Sequence, residues 1–324
     1  MILLCGIPSE RALVLVREAL ERLAVPVAVF NQRLFEEIDL EFELVRGRVR
    51  GTLRLPGRLL DLEEIAGVYT RVMDEQRLPE LRGEPPESNA RRRARALHRA
   101  LGDWCEVTPA RVVNRARPQG SNASKPYQAE LLRRLGLAVP ETLITNDPSL
   151  VREFVARHGR VVYKSASGIR SVVRMVGPAE LDRLDRITWC PVQFQAYVPG
   201  TDARVHVVGD ETFATAIRSS ATDYRYGSEE GAAPPTLEAV ELEDEVAAGC
   251  VRAAAELELP FAGVDLRLGQ DGEATFFEVN PSPAFTYYED STGQPIARAL
   301  ARYLASSAAN PHEPRHAYRD SRGM

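Results

Sequence analysis

The sequence predicts a mixed α/β and α+β protein with more than one domain. Three observations lead there. The chain opens strand–helix–strand, its second half alternates short apolar runs with helical stretches, and two strands flank a tight turn near residue 270. With 324 residues, two or three domains are expected, and 44% hydrophobic residues can bury a substantial core.

The opening run Ile2, Leu3, Leu4 and Cys5 reads as a buried strand. A turn through Gly6 and Pro8 follows, and Ser9 is the expected N-cap of a helix over residues 10–23. Leu13, Val16, Leu20 and Leu23 recur there at helical spacing, Pro26 stops the pattern, and residues 27–30 form the next strand of a parallel sheet. The G-x-G-x-x-G dinucleotide pattern is absent, so Gly6 reads as a turn glycine. Residues 41–45 and 51–55 alternate like a hairpin, and residues 65–71 form a strand ending in Arg71. A Pro- and charge-rich loop over 79–86 precedes a helix over 87–101 that carries Arg91, Arg92, Arg93, Arg95 and Arg99. Those arginines read as a solvated face, with contact to an acidic partner as the alternative.

Residues 122–135 are helical, capped by Ser124 or Asn122 and ended by Gly136. Asp147-Pro148-Ser149 starts another helix, to about residue 158. Strands are expected at 161–164, 172–176, 192–197, 205–208 and 213–217, with a flexible Gly/Ala/Pro connection over 227–236. A long helix over 242–257 precedes strands at 262–268 and 274–279, which flank Gly269-Gln270-Asp271-Gly272. A last helix over 295–305 precedes a tail over 310–324 that is expected to be disordered.

A net charge of −5 argues against wholesale binding to nucleic acid or an anionic membrane. Cys5, Cys105, Cys190 and Cys250 are scattered, which predicts neither a disulfide framework nor a zinc site and suggests a reduced, cytoplasmic protein. The first residues lack the charge and apolar length of a signal or membrane helix.

The strongest chemical signal is Phe276-Phe277-Glu278-Val279-Asn280-Pro281-Ser282-Pro283. Glu278 and Asn280 are two apart on a strand and share one face, so Phe277 and Val279 are expected to turn into a core. The turn brings Asp265 beside them from the neighbouring strand. Two carboxylates and an amide oxygen suit a hard cation such as Mg²⁺. The alternative is an ordinary hairpin with exposed acids. Against it, Asp265 sits inside an apolar strand, where a lone carboxylate needs a partner. A basic set, Lys125, Lys164, Arg204 and Arg218, could surround a polyphosphate, and the small-residue loop from Ser165 through Ser167 and Gly168 could lay N–H groups over it. Each of these cations alone reads as a surface charge. In Gln193-Phe194-Gln195-Ala196-Tyr197-Val198-Pro199-Gly200-Thr201-Asp202, a strand runs into a Pro-Gly turn. Backbone groups of Ala196, Tyr197 and Val198 are expected to be free for a purine edge, and Asp202 for ribose hydroxyls. By itself this stretch reads equally as an edge strand. The histidines form no metal site, and His206 alternates with core valines.

Taken in order, these sets resemble the ATP-grasp family over residues 112–304, nearest its RimK-like branch. The resemblance rests on Lys125-Pro126-Tyr127-Gln128, Gly136-Leu137-Ala138-Val139-Pro140, Thr145-Asn146-Asp147-Pro148, Val162-Tyr163-Lys164, Asp202-Ala203-Arg204-Val205 and Glu278-Val279-Asn280-Pro281. Val68-Tyr69-Thr70-Arg71 and Asp223-Tyr224-Arg225 are similar to segments of the microviridin-type (graspetide) ligases that cross-link ribosomal peptides. The resemblance implies an ATP-grasp fold: an N-terminal α/β pre-ATP-grasp domain over 1–110, a small lobe over 111–190, a C-terminal lobe over 191–308 and a flexible tail over 309–324. ATP would lie between the lobes, with the loops at 165–170 and 223–235 as lids. Lys125 and Lys164 would hold the phosphates together with Ser165, Ser167 and Gly168. Gln195, Ala196, Tyr197 and Val198 would hold adenine, and Asp202 the ribose. Arg204, Arg218 and Lys164 would act on the transferred phosphoryl group. Asp265, Glu278 and Asn280 would bind two Mg²⁺ ions, and Arg225 and Arg71 the substrate. Ala196 departs from the pattern, because many members carry glutamate there. The implied activity is ATP-dependent carboxylate–amine or carboxylate–alcohol ligation through an acyl phosphate, on a peptide or amino-acid substrate. A homodimer is also among the expectations, as members are often dimers. The alternatives are a phosphotransferase on the same scaffold and a non-catalytic nucleotide- or peptide-binding module.

Overall fold

The computed structural model describes residues 1–165, 173–219, 233–270 and 272–306. The chain forms two compact units, Met1–Val113 with Ala301–Met324, and Asn114–Leu300.

The first unit begins β1 (Ile2–Gly6), α1 (Arg11–Arg22), β2 (Val27–Asn31). A meander of β3 (Asp39–Val45), β4 (Arg48–Leu55) and β5 (Arg58–Asp61) leads to β6 (Gly67–Arg71), α2 (Asn89–Val107) and β7 (Arg111–Val113). The parallel sheet has the order β2-β1-β6-β7, and β3-β4-β5 is antiparallel. Every residue of β1 is buried, which is why it reads as an unbroken apolar run. Ser9 does not cap α1. The N-cap is Glu10, whose side chain makes no capping bond and instead pairs with Arg71 at 2.6 Å. Helix α2 runs six residues past its expected end, because Leu101, Trp104 and Cys105 continue its buried stripe. Its arginines are not all a solvated face. Arg91 donates to the Leu81 and Glu84 carbonyls, and Arg93 to Ile38 and Asp39, so both pin loops. Arg92, Arg95 and Arg99 are exposed. Gly67 lies so close to residues 301–306 that a Cβ there would stand 2.8 Å from the Leu304 carbonyl oxygen.

The second unit begins α3 (Ala116–Gln119), α4 (Lys125–Arg134), β8 (Thr142–Thr145), α5 (Pro148–His158), β9 (Val161–Ser165), β10 (Arg174–Met175), α6 (Pro178–Leu181) and β11 (Val192–Ala196). It continues β12 (Thr201–Val208), β13 (Glu211–Arg218), β14 (Thr236–Val240), α7 (Asp244–Glu256), β15 (Phe261–Leu268), β16 (Ala274–Asn280) and α8 (Thr286–Thr292), and ends within α9 (Ile296–Ala305), whose residues from Ala301 on belong to the first unit. Two antiparallel sheets result, β10-β9-β11-β8 and β14-β13-β12-β15-β16. Of the two expected caps for α4, Ser124 accepts from the Tyr127 N–H, and Gly136 ends the helix region at φ +77°. Asp147 caps α5 through the Ser149 N–H at 2.8 Å. One face of the first sheet packs Val161 and Phe194 on Val151 and Phe154 of α5. One face of the second packs Ala203, Val205, Val207 and Val264 on Cys250, Ala253 and Ala254 of α7. Period-two alternation sends the next residues, Lys164, Gln195, Asp202, Arg204 and Asp265, to the opposite faces. Among the described residues, all four cysteines are free and no helix is long and apolar enough to cross a membrane.

Candidate active site

Those opposite faces line one cavity in the second unit. It brings together Lys125, Lys164, Gln195, Ala196, Tyr197, Val198, Asp202, Asp265 and Glu278, whose positions are spread over more than 150 residues of sequence. Lys125 enters from the first turn of α4, and Lys164 from β9, 8% exposed. Gln195 donates to the Thr142 hydroxyl at 3.0 Å.

The linker after β11 differs from expectation in one respect. The N–H groups of Ala196 and Tyr197 are already used, donating to the Glu141 and Arg160 carbonyls, both at 2.9 Å. Among the described residues the Val198 N–H has no partner, so of these three N–H groups it is the one free to donate. Asp202 is held by Arg267, which donates to its Oδ1 at 2.9 and 2.6 Å and to the Val198 carbonyl at 2.6 Å. Two guanidinium groups stand over the Tyr197 ring, Arg160 at 3.7 Å and Arg267 at 5.4 Å from its centre. Arg267 was missed in the sequence, although it sits two residues after Asp265 and therefore shares its face.

Across the second sheet, Arg204, Asp265 and Glu278 form one row on three adjacent strands. Arg204 is 8% exposed and forms an ion pair with Asp265, Nε lying 2.6 Å from Oδ1 while Nη2 donates a hydrogen bond to Oδ2 at 3.0 Å. Gly263 makes room for it, because a Cβ there would stand 2.6 Å from Arg204 Nη1. Asn280 faces Gly263, two residues beyond Glu278 on the same strand face, and does not line the cavity. The register of β15 and β16 slips between Asp265 and Leu266, so Phe277 is an extra, bulged residue. Phe277 therefore does not turn into the core as its alternation predicts. It lines the cavity with its ring 5.6 Å from the Arg267 guanidinium. Among the described residues no three His, Cys, Asp or Glu side chains are grouped to hold a metal. The candidate set is two carboxylates and an amide, an all-oxygen donor set that fits Mg²⁺.

Other predicted residues lie elsewhere. Arg204 pairs in register with Thr215, and Asp202 with Ile217, so Arg218 is on the sheet's other face, where it pairs with Glu238 at 3.1 Å. Arg71 is in the first unit, bound to Glu10. Arg225, Ser167, Gly168 and the Ser165 side chain fall outside the described residues, as do both predicted lids for most of their length. His206 is fully buried against Phe261 and Tyr288, and burial, with Arg204 nearby, lowers its pKa to about 3. It is a neutral packing residue.

A family model described as the RimK-like ATP-grasp domain matches residues 123–304. The chain belongs to the RimK-like ATP-grasp family. Members are ATP-dependent ligases that join a carboxylate to an amine, and this protein is such an enzyme, using ATP and Mg²⁺. Among solved structures, the ATP-grasp ligase PsnB, in complex with a phosphomimetic variant of its minimal precursor, Mg and ADP, is 30% identical. That alignment covers 94% of this chain and 97% of PsnB, with a TM-score of 0.74. The macrocyclase MdnC of Microcystis aeruginosa MRC, bound to the precursor peptide MdnA, shares the fold at 22% identity and TM-score 0.74, over 94% of this chain and 99% of MdnC. A probable alpha-L-glutamate ligase of Chromohalobacter salexigens is 26% identical over 64% of this chain and 71% of its own length. The ribosomal protein bS6–L-glutamate ligase of Escherichia fergusonii is 28% identical over 55% of this chain and 62% of its own.

Proposed function

We propose that this RimK-like ligase acts on a ribosomally made precursor peptide, joining a side-chain carboxylate to a hydroxyl or amine of the same peptide. The observation that carries the reading is the reach of the likeness. PsnB is 30% identical over 94% of the chain, so the likeness spans both units. PsnB is a ligase seen with a precursor peptide.

In this reading Lys125 and Lys164 bind the triphosphate, the Val198 N–H and Gln195 meet adenine, and Asp202 accepts from the ribose hydroxyls. Asp265, Glu278 and Asn280 would hold two Mg²⁺ ions, which neutralise charge on the phosphates when bound. A carboxylate oxygen of the peptide attacks the γ-phosphorus and ADP leaves. The hydroxyl or amine then attacks the acyl carbon, and phosphate departs. Arg204 stabilises charge on the transferred group electrostatically. Arg218 is part of this reading only if it leaves Glu238. Arg71 and Arg225 bind the peptide, and the two sheets of the second unit belong to separate lobes with their boundary near residue 190.

The test incubates the protein with ATP, Mg²⁺ and peptides rich in Thr, Ser, Lys, Glu and Asp, following phosphate release and peptide mass. A ligase releases one phosphate for each water the peptide loses. Phosphate retained on the peptide means a phosphotransferase. ATP consumption only with free glutamate overturns the peptide assignment.

A further inference from the structure

Strand β16, which carries Glu278 and Asn280, is the edge strand of its sheet; it pairs with β15 along its length and on its other side is bridged to the chain at Ala138 opposite Thr275. An edge strand with a bulge in its middle can slide, and a slip of one residue would turn both side chains off the cavity face. Something must fix the pairing on each side of Phe277. Before the bulge, the Phe276 N–H donates to the Ala138 carbonyl at 2.8 Å. After it, a side chain takes the place of a neighbouring strand. Gln128 of α4 donates from Nε2 to the Val279 carbonyl at 2.8 Å, and the Val279 N–H donates to Gln128 Oε1 at 3.0 Å. Gln128 is 1% exposed, so this paired contact is shielded from water. Val279 stands between Glu278 and Asn280. Three residues before Gln128, on the same side of α4, is Lys125, which lines the cavity.

We infer that Gln128 is a positioning residue that fixes the metal-binding strand beyond its bulge and sets its distance from Lys125. The inference rests on reading Asp265, Glu278 and Asn280 as the Mg²⁺ ligands. The Gln128 side chain bonds the Val279 backbone and not the side-chain oxygens of Asp265, Glu278 or Asn280. Its amide matches both backbone groups of one residue, and a side chain that only donates or only accepts cannot do that.

The test uses the full chain saturated with ADP and titrated with Mn²⁺, free Mn²⁺ being read by electron paramagnetic resonance, with thermal melting alongside. Gln128→Leu removes both bonds. Gln128→Glu keeps the size and the acceptor but loses donation to Val279, and it carries the test where the leucine variant does not fold. Both are expected to weaken Mn²⁺ binding by about tenfold or more, as loss of an outer-sphere support does, with metal-free ADP binding unchanged. Leu132→Ala is the control: it is buried one turn along α4 and does not bond Val279. It should lower the melting temperature and leave Mn²⁺ affinity unchanged. Wild-type Mn²⁺ affinity in the Gln128 variants, or an equal loss in Leu132→Ala, overturns the inference. Separately, Glu278→Gln must weaken Mn²⁺ binding. If it does not, the metal assignment itself falls, whatever Gln128 does.

Discussion

Replacing Arg267 with methionine removes one cation from several partners at once. The guanidinium donates twice to Asp202 and once to the Val198 carbonyl, and stands near the Tyr197 and Phe277 rings. Methionine keeps much of the apolar stem, so the change is chiefly electrostatic. Removing one partner of a fully buried pair costs about 3–5 kcal/mol. Here the Arg267 and Asp202 side chains are 14% and 26% exposed, so solvent screens part of that. With the Val198 carbonyl also losing its donor, about 2–3 kcal/mol remains. In a unit of this size that lowers the melting temperature by roughly 4–12 °C. Asp202 and Val198 also lose the geometry they present to the cavity. A misplacement worth about 1.4 kcal/mol raises the ATP KM about tenfold, with kcat changed much less. The assays are thermal melting without nucleotide and steady-state kinetics with ATP varied. A melting shift below about 1 °C together with an unchanged KM would refute the reasoning, because it would mean that solvent already satisfies Asp202. In combination with Asp202→Asn the losses should not add, since both substitutions break one contact.

Lys164→Met should raise the ATP KM by about tenfold or more, because it takes a charge-assisted phosphate contact from the cavity wall; an unchanged KM would place the triphosphate elsewhere. His206 supplies a pH test. Its folded pKa is lowered to about 3 from 6.5, so between those values the unfolded chain binds the extra proton. Stability is therefore lost as pH falls through that window, by at most about 1.4 kcal/mol per pH unit. His206→Phe should flatten that acid limb in melting curves, and an acid limb of undiminished slope would assign the loss to carboxylates instead. Gly67→Ala drives a Cβ to 2.8 Å from the Leu304 carbonyl and 2.9 Å from Ile2 Cδ1. It should cost about 1–3 kcal/mol, measurable by denaturant titration, whereas a neutral result would show that residues 301–306 shift freely.

The parts of the site legible in the sequence were those set by local alternation. Glu278 and Asp265 meet because a short turn folds one strand back on the other, and Lys164 faces the cavity because Tyr163 must face α5. What stayed hidden depended on partners distant in the chain. The bulge at Phe277 is a property of how two strands pair, and no residue type announces it. The amide of Gln128 bonds Val279, 151 positions away, and reads in sequence as one more polar residue on a helix. Ser9 looked like a cap by residue type, but the helix starts a residue later, and the side chain at its N-cap position, Glu10, binds Arg71. The arginine run of α2 misled for a related reason, since only the fold reveals which carbonyls lie within reach of Arg91 and Arg93.

The first unit is discontinuous: its sheet is made from residues 1–113, yet the segment against Gly67 comes from residues 301–306. On the ribosome, that sheet emerges long before the segment that covers it. The second unit is a single stretch and can close on itself as soon as it is made. Completing the first unit thus requires closure of a loop of nearly two hundred residues, an entropy cost that falls steeply once the intervening chain has already collapsed. Synthesis order and assembly order are therefore opposed, and a change within residues 301–306 would be felt at Gly67, more than two hundred residues earlier.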